Sequence, residues 1–261
     1  MRLPVLLFVA LLAAALAAPI GAPYAPERID LASRREPPSA AHLFGTDELG
    51  RDVFSRVLFG ARVSLAVGLF SAAVAGASGV AVGGIAGYAG GAIDASLMRA
   101  TDAMLAVPRL PLLMIAAVVL QPSIPWLIVL IGLAGWMETA RVVRAELRSL
   151  RGTGFVESAR ASGASHARIL VRHLLPNAAP VIAVSITLAV ARGILLESAL
   201  SFFGVGVRPP AASWGNMLYQ AQAALATEPW LAIAPGACIL MTTMSVALIG
   251  DRLAAARGRN A

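Results

Sequence analysis

Phe155–Pro176 reads FVESARASGASHARILVRHLLP, an arginine-rich polar island between apolar stretches. The residues describe two short helices joined at a glycine. Val156–Ser162 forms the first, with Glu157 near its start, where the helix dipole favours a negative charge. Gly163 permits a backbone turn that a side chain resists. Ser165 is placed to cap a second helix through Arg168 and Arg172, which Pro176 is expected to end. A helical elbow on a membrane protein is a lever for a soluble partner; an ordinary positive loop on the cytoplasmic side is the plainer reading of the same residues.

The surrounding composition decides for a membrane. The chain has 261 residues, of which 58% are hydrophobic and 13% charged, with a mean hydropathy of +0.77. A soluble domain carries about 25% charged residues. All 21 basic residues are arginine, which excludes a P-loop ATPase and a Schiff-base enzyme, since both need lysine. The net charge of +7 does not call for nucleic acid, because the arginines flank apolar spans as positive-inside topology requires. Cys238 stands alone in an apolar run, so no disulfide framework or thiolate metal site is available.

Outward from the elbow, 141–177 carries Arg141, Arg144, Arg148, Arg151, Arg160, Arg168 and Arg172 against Glu146 and Glu157. Each arginine costs about 2.5–3.5 kcal/mol at a membrane centre, so this stretch is not a span and belongs in the cytoplasm. Upstream, Leu3–Ala18 fits either a secretory signal peptide or a short first span; Pro19 after an alanine pair is a poor cleavage site, which favours the span. Pro19–Arg56 has nearly balanced charge and is expected outside. Within it Thr46 is placed to cap a turn, and Val53, Val57 and Leu58 make an apolar stripe on an interfacial helix. Val63–Gly87 reads as the second span, with Gly79, Gly83, Gly87 and Gly91 on one small face for close helix packing. Tyr88–Arg109 reads as a short connection, and Asp102–Gln121 as the third span, bent at its entrance by Pro108 and Pro111. Ile124–Ala140 is the fourth, with Trp126 and Trp136 near its ends. Ala178–Ala199, the fifth, holds Arg192 and Glu197, neither of which should face lipid. Leu200–Glu228 is an external turn in which Gly204, Gly206, Pro209 and Pro210 preclude a regular helix. Trp230–Gly250 is the sixth, followed by Asp251, Arg252, Arg257 and Arg259. The expectation is an all-α polytopic membrane protein with six transmembrane helices and both termini cytoplasmic. No internal repeat or pair of broken helices of the inverted-repeat kind is visible.

Chemistry is sparse. His42, His166 and His173 are the only histidines, and His166 and His173 find no cysteine or carboxylate at metal-ligand spacing. HExxH and GxSxG are absent. Asp47 and Asp52, flanking Gly50-Arg51, suit local pairing or helix capping better than acid–base work. Met98, Met104 and Met114 suit packing. The chain reads as non-catalytic.

Three stretches, and the ending Pro229-Trp230…Pro235-Gly236…Gly250-Asp251, carry a resemblance. Glu157, Ser158, Ala159, Gly163, Ala164, Leu175 and Pro176 resemble the EAA loop of the membrane subunits of binding-protein-dependent ABC importers, E-A-A, three residues, G, nine residues, I, any residue, L-P. Ser158 stands for the second-position alanine and His173 for the isoleucine. Phe44–Leu65, FGTDELGRDVFSRVLFGARVSL, resembles the G-T-D-x-L-G-R-D-x-x-S-R…G-x-R-x-S-L signature of the dipeptide/oligopeptide/nickel permeases. Ser201–Leu218, SFFGVGVRPPAASWGNML, resembles the S-F-L-G-x-G-x-x-P-P-x-x-S-W-G-x-M-L stretch of their C-type subunit.

The resemblance implies a type I ABC importer transmembrane domain, divided into 1–62 (first span, external segment, interfacial helix) and a core, 63–261, with the coupling loop 141–177. It implies a bacterial cytoplasmic (inner) membrane location and contact with lipid. It also implies a heterodimer with a second permease subunit, two ATPase domains that bind ATP and Mg, and an extracytoplasmic substrate-binding protein. No cofactor belongs to this chain itself. Glu157 would contact the ATPase or cap its own helix, Gly163 would set the elbow angle, and Pro176 would fix the junction with the fifth span. Arg192 is a candidate pathway residue. Peptide is the first cargo expectation, nickel ion the second, and an ATPase-independent channel or carrier the alternative of a different class.

Overall fold

A computed structural model describes residues 2–258, so Arg259 lies outside the described residues, as does the side chain of Arg257. The organising element is a 37-residue helix, Val53–Ala89. It is labelled α2, after the N-terminal α1, Arg2–Gly21. At 1.5 Å per residue α2 is about 55 Å long. The apolar stripe at Val53 and Val57 therefore belongs to the same continuous helix as the second span and not to a separate interfacial one. Asp52 caps the start of α2, as its place suggested: its carboxylate accepts from the Ser55 N–H at 2.8 Å.

Glycine lets neighbours approach α2 on two sides. A Cβ at Gly79 would lie 2.6 Å from Thr139 Cβ, and one at Gly83 would lie 2.3 Å from the Ala140 carbonyl oxygen. Gly87 completes that face; Gly91, in a left-handed turn with nothing near it, does not belong to it. On another side, Cβ atoms at Gly68 and Gly76 would meet Ile194 and Ile186. Without a hydrophobic drive in lipid, such backbone proximity supplies the dispersion contacts that hold helices together.

The expected connection after α2 is instead helical: α3, Gly91–Ala106, precedes α4, Arg109–Leu120, across a 79° bend. Pro108, at the N-cap of α4, sets that break. The Gln121 turn leads to α5, Ile124–Leu133, and a 43° bend separates it from α6, Trp136–Leu150. There, Gly135 is the N-cap and Trp136 the first residue of α6. Two adjacent bent helix pairs thus stand where the third and fourth spans were expected, and the arginines from Arg141 to Arg148 extend α6 beyond its apolar part. Four helices are long and apolar enough to cross a membrane, and each bent pair passes the same test together, giving up to six spans. The fold is all-α and polytopic.

After α6 come α7, Gly154–Ala161, and α8, the turn His166–Arg168. A π-helical stretch, Ile169–Leu174, then runs directly into α9, Leu175–Phe202. Pro176 does not end a helix, because it occupies the first turn of α9, where its missing N–H is tolerated. The ladder shifts register just before it, with the Leu175 N–H donating to the Leu170 carbonyl.

The turn at Gly204–Pro210 is irregular as expected, but the remainder holds an additional helix, α10, Trp214–Ala221. Ser213 and Asn216 form a reciprocal capping box. Trp214 is fully buried and its indole N–H donates to the Val57 carbonyl at 3.1 Å. Ser213→Ala is expected to destabilise the folded chain by about 1 kcal/mol, read as a lower thermal midpoint in detergent. The last helix is α11, Trp230–Gly258. It packs with α9 and α1 around Ala15, Leu65, Ile194, Trp214 and Val246.

Candidate functional site

The elbow is built from local signals and then seated by a small core. Glu157 lies in the first turn of α7, whose N-cap is Thr153. At its other end, the Gly163 N–H donates to the Arg160 carbonyl and the Ala164 N–H to the Ala159 carbonyl, at 3.0 and 3.1 Å. With Gly163 at φ +76°, this is a Schellman closure, in which glycine takes the left-handed position that a Cβ disfavours. Ser165 follows as the N-cap of α8, accepting from the Arg168 N–H.

Val156, Ile169 and Leu174 are fully buried against Val143 and Leu147 of α6, with Ala159, Ala164 and Leu175 packed at the edge. Glu157, Ser158, Gly163 and Pro176 are exposed. The seven motif residues therefore divide by position: three rest on the bundle and four lie on the open side. Tyr88, at the end of α2, holds the elbow from behind, its hydroxyl 2.6 Å from His166 Nδ1. Arg151 donates to the Tyr88 and Ala89 carbonyls at 3.1 and 3.3 Å, covering the C-terminus of α2. These residues and Glu157 and Arg160 border an open recess of ≈ 590 Å³. Arg144 adds a bidentate pair to Asp94 of α3 at 2.5 and 2.6 Å. The elbow is thus fastened to α6 and α2, and α6 in turn to α3.

The two charges of α9 have opposite surroundings. Glu197 is fully buried, accepting from Ser64 at 2.9 Å and Ser201 at 2.8 Å. Ser64 Oγ in turn accepts from the Trp214 N–H, so Glu197 ties α2, α9 and α10 together. Arg192, five residues earlier, pairs with Glu138 of α6, which also accepts from Arg109 of α4 at 2.9 Å. Sequence reading flagged Arg192 but missed both partners, which lie 54 and 83 positions away; the prolines beside Arg109 marked its helix entrance, not its pairing.

The GTDELGRD segment is held by its own polar groups at the opposite end of α2. Asp47 pairs with Arg51 at 2.7 Å, Asp52 with His42 at 2.9 Å, and Thr46 accepts from the Glu36 N–H at 2.9 Å. Arg56 reaches the Pro26 carbonyl and Gln220. These residues brace a scaffold. Among the described residues no group of three or more His, Cys, Asp or Glu could hold a metal ion.

The family model for the binding-protein-dependent transport system inner membrane component matches residues 79–259, from the second half of α2 through the elbow to α11. The chain belongs to that family. This permease is 40% identical over 245 residues to a Brucella suis protein named as a peptide permease, covering 93% of this chain and 81% of the relative. It is 40% identical over 249 residues to a second Brucella suis protein, named as a peptide transport system permease, with 95% and 83% covered. Against the glutathione transport system permease protein of Escherichia coli, the identity is 40% over 233 residues, with 89% and 77% covered. The permease is a multi-pass inner-membrane subunit and a non-catalytic one, related to the peptide and nickel permeases.

Proposed function

We propose that this permease forms half of a peptide translocation pathway, driven by cytoplasmic ATPases that grip the α7 elbow. The observation that carries the reading is the elbow itself: a capped, glycine-closed helix with Glu157 and Ser158 free on its outer side and Val156, Ile169 and Leu174 anchored beneath. A partner that moves α7 displaces α6 and α9 with it. The names of the Brucella and Escherichia relatives favour a peptide-like cargo. In this reading a second permease subunit completes the pathway and an extracytoplasmic binding protein delivers cargo. Both termini face the cytoplasm with the elbow, and Arg192 lies along the pathway.

Deleting and restoring the gene in the native cell, with uptake of labelled dipeptide, longer peptide and nickel ion measured, tests this. Peptide uptake should fall on deletion and return on rescue. Rescue of nickel uptake alone would reassign the cargo, and unchanged uptake of all three would overturn the reading.

A further inference from the structure

Arg109, Glu138 and Arg192 meet where both bent helix pairs change direction. Arg109 opens α4 just after the 79° bend, and Glu138 lies in the first turn of α6 just after the 43° bend. α4 has 12 residues and α5 has 10, so they are about 18 and 15 Å long. Neither crosses the ~30 Å apolar layer alone. The turn at 121–123 joins them at one end, so both bends lie about 15–18 Å along the helices from that turn. Arg192 lies at a similar distance from the end of α9, ten residues before it, about 15 Å along the helix.

Three charges on candidate membrane-spanning helices require protein or water around them. Interrupted backbone in such helices has the same requirement, being tolerated where it is buried or lines an aqueous cavity. Yet the triad is not sealed. The side chains of Arg192 and Glu138 are 38% and 34% exposed, and that of Arg109 is 22% exposed. Glu197, one and a half turns further along the same helix, is 0% exposed. Packing thus closes one α9 charge into the core and leaves the other open. Small residues beside it, Ser71, Gly135, Ala189 and Gly193, leave only a water-sized gap of ≈ 10 Å³, so the exposed sides of Arg192 and Glu138 are what cargo can meet. The cluster has one carboxylate for two guanidiniums, an excess of one positive charge that Glu138 does not neutralise.

We propose that this triad is a charge-selecting station within the pathway, where Arg192 and Arg109 engage carboxylates of the passing cargo and Glu138 holds the two guanidiniums in place. The inference rests on the importer reading given above. A guanidinium presents its donors in a planar fork suited to a carboxylate. Sharing Glu138 between two arginines keeps each oriented while leaving N–H groups free. A cargo carboxylate is then exchanged with, rather than added to, the protein's own, so engagement is reversible and passage continues.

The test uses the complete transporter in proteoliposomes, with two labelled alanine tripeptides carrying a central glutamate or a central lysine. Arg192→Gln should lower the ratio of acidic to basic peptide uptake about tenfold, equivalent to about 1.4 kcal/mol. Glu138→Gln should raise that ratio, because it exposes a second uncompensated cation, and Arg192→Lys should fall between Arg192→Gln and wild type, because an ammonium keeps the charge but lacks the planar fork. The opposite signs separate cargo selection from a structural ion pair, which predicts losses for both Gln variants without a change in ratio. An unaltered ratio in an active Arg192→Gln transporter overturns the station. So does loss of the second permease subunit from the purified variant, since Arg192 would then be an assembly contact. A wild-type complex that imports neither peptide overturns the peptide-import reading, and this inference with it.

Discussion

Gly163→Pro is expected to bring cargo uptake to background while the α9 and α11 bundle still folds and ATP hydrolysis continues. The reason is conformational and local. Gly163 has φ +76°, whereas proline fixes φ near −65° and removes the N–H that here donates to the Arg160 carbonyl. The Schellman closure of α7 then cannot form, and α7 leaves the angle at which Glu157 and Ser158 are presented. Space is not the obstacle, because a Cβ at this position would meet nothing within 4 Å. That observation sets a graded series. Gly163→Asn should retain most uptake, since asparagine visits the left-handed region with little penalty. Gly163→Ala should fall between, at about 1–2 kcal/mol of backbone strain. Uptake and ATP hydrolysis measured together on the reconstituted complex decide the matter. Full uptake by the proline variant would sink the lever role, and an alanine variant worse than proline would sink the conformational explanation.

The elbow was legible in the sequence because its determinants are local. Glu157, Gly163 and Ser165 act within one or two turns of themselves, so their spacing alone describes helix, turn and cap. Span positions were legible for a similar reason, since hydropathy is summed over contiguous residues. The interruptions were less so. Pro108 marked the entrance of α4, but the helix preceding it contains Asp94, Arg99 and Asp102, which read as a connection; Arg144 and Arg141 pair with Asp94 and Asp102 from 50 and 39 positions away. Gly135 is one glycine among many in apolar surroundings, and nothing nearby distinguishes a break from a packing contact. α10 was missed because the Gly204–Pro210 cluster dominated the reading, although Ser213 and Asn216 stood three apart as a cap. Pro176 misled in the opposite direction: proline stops a helix from within but starts one from its first turn, and only the π-helical register before it distinguishes the two.

The glycine face of α2 carries the largest expected effect on folding. Gly83→Leu should remove most of the folded permease from the membrane, whereas Gly91→Ala should cost only the backbone strain of its left-handed position, about 1–2 kcal/mol, with no clash. Both belong to the same four-residue period, yet a Cβ at Gly83 falls 2.3 Å from the Ala140 carbonyl oxygen and 2.9 Å from its Cα. The atoms it meets are backbone, so no rotamer change relieves the overlap, and α6 must move as a body. Displacing α6 strains what it holds: the Val143 and Leu147 seat of the elbow, the Arg144 pair with Asp94, and Glu138 between its two arginines. Overpacking alone costs about 1–3 kcal/mol and occasionally more, and loss of the helix contact adds to it. For a fold of about 5–15 kcal/mol total stability, that is a large share. Gly83→Ala should already show a lower thermal midpoint, because the clash begins at the Cβ. Membrane abundance and detergent thermal unfolding of the three variants check this, and wild-type values for Gly83→Leu would mean that α2 and α6 do not pack through this face.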